Sequence, residues 1–130
     1  MIRPPITSGR VADVGPAGED AALAAYRRAG YRLIARNWSC RVGELDLVMA
    51  RGETLVFCEV KARRGVRFGA GYESVTARKR AKVRSVAEAF LLSSRLEPGA
   101  VRFDVASVLV RERPQGGEAG SDVELFEDAF

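Results

Sequence analysis

Asp46, Glu59 and Lys61 are ionisable residues set in stretches that otherwise read as buried strand. Twelve residues separate Asp46 from Glu59, and Glu59-Val60-Lys61 puts a carboxylate and an amine two positions apart. On a strand that spacing means one shared face. Isolated charges are costly to bury, so these side chains need partners or a task. Adjacent antiparallel strands bring Asp46 and Glu59 side by side, and two close carboxylates repel unless a cation sits between them. Mg²⁺ (or Mn²⁺) is a hard ion that takes oxygen ligands, one or two carboxylates with phosphate and water. Lys61, from the same face, could then orient a water and offset charge on a phosphate in the transition state. Glu19, on a preceding helix, could complete the metal shell. A plainer reading stands beside this one. Glu59 and Lys61 also suit a surface ion pair, Asp46 a strand end, and Glu19 the N-terminal part of any helix.

The elements that must position these residues follow from periodicity and breakers. Residues 16–29 read as a helix, with Asp13 or Gly15 near the N-cap, Pro16 in the first turn and Gly30 at the C-terminal end. Ala22, Tyr26 and Ala29, with Leu23 beside them, form its inward stripe, and Glu19 belongs to that row. Strands are expected at 31–40, 43–51 and 54–63, with Arg51-Gly52-Glu53 as the turn between the last two. Leu45, Leu47 and Met49 are expected to share one face of the second strand. Leu55, Phe57, Glu59 and Lys61 share one face of the third and Val56, Cys58 and Val60 the other, so this strand is central. Residues 64–72 are a glycine-bearing loop. A long helix at 74–95 follows, with Val83, Val86, Ala87, Phe90 and Leu91 as its apolar stripe, and Pro98-Gly99 ends it. A fourth strand is expected at 100–110, a loop at 113–122 and a short fifth strand at 123–126. The order α-β-β-β-α-β(-β) implies an α/β fold with a mixed sheet, not a doubly wound one.

Composition narrows the chemistry. The 130 residues suit one domain, and 47% apolar with 29% charged is an ordinary globular balance. The absence of histidine removes Ser-His-Asp and Cys-His mechanisms and imidazole metal sites. Two cysteines are too few for a disulfide scaffold or a Cys-rich zinc site. No apolar run approaches the roughly 20 residues of a membrane span. The first ten residues lack the apolar core of a secretory signal, so a cytoplasmic location is expected.

The net charge of +4 is uneven. Residues 112–130 carry six acids and one base, leaving residues 1–111 with 20 bases and 11 acids. Five bases fall within seven positions at the start of the second helix: Arg78, Lys79, Arg80, Lys82 and Arg84. Cations there oppose the helix dipole, so phosphate contact explains them better than helix stability. Arg63 and Lys79 are expected nearest the site, and Arg67-Phe68 could meet a backbone or stack on a base. Phe68 docked on the core, and a basic face that is merely solvated, are the alternatives.

Asp, a gap, then Glu-x-Lys across a hairpin resembles the PD-(D/E)xK nuclease superfamily. More closely, the chain resembles the uncharacterised bacterial family of the YraN type, similar in fold to archaeal Holliday-junction resolvases. The residues that carry this are Gly15-x-x-Gly18-Glu19-x-x-Ala22, Gly30-Tyr31, Arg36-Asn37, Gly43-Glu44-Leu45-Asp46-Leu47-Val48, Leu55 through Arg63, Phe68-Gly69, Lys79, and Val101 through Val105. They span about residues 15–110. Cys58 stands where valine is usual, and Leu45 where the superfamily has proline.

The resemblance implies a restriction-endonuclease-like core with a mixed sheet flanked by helices. It matches Asp46 and Glu59 to metal-binding acids, Lys61 to the catalytic lysine and Glu19 to the helix acid of the resolvase-like branch. Three segments are expected: a flexible tail at 1–14, a nuclease-like domain at 15–112, and a Pro/Gly loop with an acidic segment at 113–130. The expected activity is Mg²⁺-dependent cleavage of structured or branched DNA, by a homodimer. A nucleic-acid-binding module without turnover, or an interaction factor in DNA processing, are the alternatives.

Overall fold

A computed structural model of the chain describes residues 9–64, 76–111 and 120–130, with side chains from residue 15 onward. The elements run α1 (Gly9–Arg28), β1 (Arg32–Ser39), β2 (Glu44–Arg51), β3 (Thr54–Arg64), α2 (Ala77–Ser94), β4 (Ala100–Arg111) and β5 (Gly120–Phe126). The strands form one five-stranded sheet in the order β1-β2-β3-β4-β5. β3 and β4 are parallel and the other neighbours antiparallel, so the sheet is mixed. The α2 crossover is what a parallel β3–β4 pair requires. β3 is central, as its two apolar faces imply.

The helices cover opposite faces. Ala22, Leu23 and Tyr26 of α1 pack with Leu47, Met49, Val56, Cys58, Ala106 and Val108 of the sheet. On the other face Val83, Val86, Ala87 and Phe90 of α2 pack with Leu45, Val48, Ala50, Leu55 and Phe57. Phe90 packs edge-on to both Phe57 and Trp38, with ring centroids 5.9 and 5.2 Å apart. α1 comes unusually close to the sheet at Gly18. A Cβ there would sit 2.5 Å from Ala62 Cβ and 3.6 Å from Val60 Cγ1, so only glycine admits this approach.

The β2–β3 hairpin turns at Gly52, whose φ of 59° is readily adopted without a side chain. The register runs from Arg51↔Thr54 to Leu47↔Cys58 and stops there. β3 stays paired with β4 as far as Arg64↔Val110. From Glu59 onward, then, no strand among the described residues pairs with the edge of β3 that faced β2.

Three expectations need correcting, and one feature is not foreseen. α1 begins at Gly9, with Pro16 inside it rather than in its first turn. Proline has no N–H for the carbonyl four residues back, so the helix passes residue 16 without that bond. Leu45 does not share a face with Leu47 and Met49. It packs under α2 and they pack under α1, because β2 parts from β3 at this point. β5 starts at Gly120, its register with β4 running from Arg111↔Gly120 to Val105↔Phe126. The acidic residues beyond it are docked on the fold. Asp128 N–H donates to Asp104 Oδ1 at 2.9 Å, Ala129 N–H to the Phe103 carbonyl at 2.8 Å, and Phe130 packs on Phe103.

Asp104 itself is fully buried on β4. It accepts from the Tyr26 hydroxyl at 2.6 Å and from two nitrogens of Arg102 at 2.9 Å each. Burial, with Cys58 and Asp104 nearby, drives the Tyr26 pKa well above its ordinary value, so this hydroxyl stays a donor. The network ties α1, β4 and the C-terminal residues together.

Candidate functional site

Asp46 stands where β2 leaves β3. Its Oδ2 accepts from the Val60 N–H at 2.8 Å, taking an amide that the backbone of β2 no longer reaches. One step past Leu47↔Cys58 the same register sets Asp46 opposite Glu59. The hairpin therefore brings the two carboxylates together as their spacing predicts. Burial, reinforced by the charge of Glu59, pushes the Asp46 pKa up to about 7. Glu19 acts in the same direction, while the Val60 amide and Lys79 oppose it.

Glu59 is buried at 7% exposure. Its Oε2 lies 2.8 Å from Lys79 Nζ and 3.9 Å from Lys61 Nζ. Lys61 is half-buried, and that burial, with Lys79 alongside, lowers its pKa. Lys79 sits in the first turn of α2, where its N–H donates to the N-cap hydroxyl of Thr76 at 3.2 Å. The hydrogen bond to Glu59 raises its pKa. A cleft of about 260 Å³ opens over Asp46, Glu59 and Lys79, and Lys61 is not part of its lining. Gly43, Glu44, Asp46, Glu59, Lys79 and Lys82 line it, and Val83 and Val86 close it on the α2 side.

Glu19 does not line this cleft. Its Oε1 accepts from Arg36 Nε at 3.0 Å and from Asn37 Nδ2 at 3.1 Å, on β1. Among the described residues no three Asp, Glu, Cys or His side chains converge as a metal-holding group. What the cleft offers a cation is Asp46 and Glu59. An all-oxygen pair, whose burial and mutual repulsion together raise the Asp46 pKa, fits a hard divalent ion, which would relieve that repulsion.

The expected phosphate contacts divide. Arg78 and Lys82 are exposed on the first half of α2, and Lys82 reaches the cleft. Lys79 lies at the site with its ammonium on Glu59, because the first turn of α2 lies directly over that carboxylate. Arg84 is also engaged, its guanidinium 4.7 Å from the centre of the Phe103 ring. Arg63 is half-buried at the end of β3. Arg67 and Phe68 lie outside the described residues.

Arg36 and Asn37, part of the resemblance but given no site role by it, are both bonded to Glu19. A signal was present, since asparagine is disfavoured inside a strand. Asn37 has φ 54°, a left-handed conformation in the middle of β1.

No helix among the described residues is long and apolar enough to cross a membrane. The family model described as "Uncharacterised protein family UPF0102" matches residues 18–108. A UPF0102 protein of Ectopseudomonas mendocina is 53% identical over 97 residues, covering 74% of this chain and 82% of that protein. One of Parafrankia sp. is 46% identical over 100 residues, covering 77% and 84%. One of Acidothermus cellulolyticus is 43% identical over 127 residues, covering 90% and 92%. The matched span holds α1 from Gly18, Asp46, Glu59, Lys61 and Lys79, so the whole cleft lies within it, and the chain belongs to the UPF0102 family.

Proposed function

We propose that the protein is a Mg²⁺-dependent endonuclease acting on structured or branched DNA. The observation that carries this is the juxtaposition of Asp46 and Glu59 with two lysines, where β2 parts from β3 and beside the basic start of α2. Asp46 and Glu59 would hold the metal, while Glu19 stays on Arg36 and Asn37 outside the cleft. A bound divalent ion supplies Lewis-acid polarisation of the phosphodiester and a water of lowered pKa. Lys61 orients the attacking water and holds or yields a proton at Nζ, a task that suits an amine whose pKa burial has lowered. Lys82 and Arg78 draw the phosphate backbone to the cleft. A symmetric pair of cuts calls for two sites, which a homodimer would provide.

Incubation with junction, flap and single-stranded DNA plus Mg²⁺ or Mn²⁺ tests the reading. Metal-dependent cleavage that Asp46→Ala abolishes is expected. No cleavage, or cleavage that survives in Asp46→Ala, would sink it. A DNA-binding module without turnover is the second reading, favoured by the Lys79 ammonium seated on Glu59. It predicts salt-sensitive DNA binding with no metal uptake in calorimetry.

A further inference from the structure

The turn between β1 and β2 stands at the lip of the cleft. It follows the last pair of that ladder, Ser39↔Glu44, and the Cys40 N–H closes it by donating to the Gly43 carbonyl at 2.9 Å. Gly43 and Glu44 line the cleft, so the tip residues Arg41 and Val42 lie within two positions of its lining. Gly43 seats the turn on α2. A Cβ there would sit 3.1 Å from Val86 Cγ2 and 3.2 Å from Lys82 Cε, so the backbone of the turn rests closely on the helix. The tip is thus braced from behind before any ligand arrives, and little ordering remains to be done on binding.

Val42 is 46% exposed at this tip. The other large apolar side chains exposed among the described residues are Leu92, Leu96 and Val101. They lie at the end of α2, just beyond it, and at the start of β4, toward the Gly52 end of the sheet. Val42 is therefore the apolar point at the cleft end. A lone exposed valine is ordinary on a surface. This one sits on a braced turn with an exposed arginine beside it and the exposed Lys82 behind it. Arg41 makes no ion pair with a described residue, so it continues the basic surface of α2, with Glu44 the exposed acid between them.

We infer that Arg41 and Val42 form a tip that recognises a break in the DNA stack. Arg41 meets a phosphate, and Val42 packs on the base-pair face that a branch point, flap or helix end leaves uncovered. This rests on the DNA-binding half of the function proposed above, and on neither metal nor cleavage. In continuous duplex each base face is covered by its neighbour, and an apolar wedge must first unstack a step. At a discontinuity the face is already bare, so the same valine discriminates between the two. Because the tip adjoins the cleft, it would also place the discontinuity beside Asp46 and Glu59.

Fluorescence anisotropy of the full chain in chelator tests this, with a labelled four-way junction and a continuous duplex of the same arm sequence. The parent should prefer the junction. Val42→Ser should weaken junction binding about fivefold and leave duplex binding unchanged. Val42→Leu, which keeps an apolar tip, should retain the preference. Arg41→Gln should weaken both and reduce the salt slope by about one charge. Melting temperatures should match the parent, since both side chains are exposed. A parent without junction preference, a preference that survives Val42→Ser, or equal losses on junction and duplex overturns the inference. A parent that prefers the junction but never cleaves it with Mg²⁺ defeats the nuclease reading and leaves the tip standing. A parent that binds no DNA at low salt defeats both.

Discussion

Lys79 and Lys61 reach toward one oxygen of Glu59, and Lys79 is the closer by more than an ångström, at 2.8 against 3.9 Å. The helix lysine, rather than the strand lysine of the Glu-x-Lys motif, neutralises the buried carboxylate. A divalent ion entering the cleft must share or displace that contact. A released Lys79 would be free to meet a phosphate of bound DNA.

Lys79→Met should therefore act in opposite senses on metal and on DNA. Mg²⁺ affinity without DNA should rise about fivefold, the equivalent of roughly 1 kcal/mol for a partly exposed pair. DNA affinity should fall and its salt dependence flatten by about one charge. Calorimetry and a salt titration read the two. A fall in Mg²⁺ affinity would show that Lys79 supports the carboxylates rather than competing for them.

Asp46 predicts a pH dependence of stability in metal-free protein. Its folded pKa of about 7 lies above the ordinary 3.8, so the folded state holds the proton more tightly than the unfolded one. That contribution is fully present below about 4 and is lost as pH rises through about 7. Asp46→Asn should flatten this decline and raise the melting temperature at pH 8 by about 3–6 °C, the shift for roughly 1 kcal/mol. Mg²⁺ should offset the decline in the parent and have little effect in the variant. Equal pH slopes in the two proteins, measured in chelator, count against the shifted carboxyl.

Gly18→Ala places a methyl 2.5 Å from the Ala62 methyl. α1 must move outward, at a cost of about 1–3 kcal/mol in urea unfolding. The compensating pair Gly18→Ala with Ala62→Gly removes that clash and should recover much of the loss. No recovery would mean that the close approach is set elsewhere along α1.

Asp104 should be the most sensitive polar residue away from the cleft. Asp104→Ala strands the Arg102 guanidinium, the Tyr26 hydroxyl and the Asp128 amide, and should cost about 3–5 kcal/mol. Tyr26→Phe removes one hydrogen bond and should cost about 1–2 kcal/mol. Urea titrations order the two; equal losses would point to packing in place of the network.

Much of this architecture is legible in the chain. Gly52 and Pro98-Gly99 punctuate it, the two-faced apolar β3 declares its central place, and a tight hairpin makes Asp46 and Glu59 neighbours. What escapes reading are features set by packing between distant segments. Nothing local to Leu45 and Leu47 shows that β2 turns away between them. The acid row of α1 places Glu19 facing inward, but its bonds to Arg36 and Asn37 depend on how α1 crosses β1. Lys79 reads as one base among five, and only the seating of α2 over β3 singles it out.

The β2–β3 hairpin is joined at its turn and parted at its far end. The ladder is closed as far as Leu47↔Cys58, and one step beyond it the Asp46 side chain takes over from the backbone by accepting from the Val60 amide. Each acid is braced from its other side, the strand of Asp46 by β1 and that of Glu59 by β4. The two carboxylates therefore stand at the mouth of a stiff frame whose spacing is set by the backbone on both flanks.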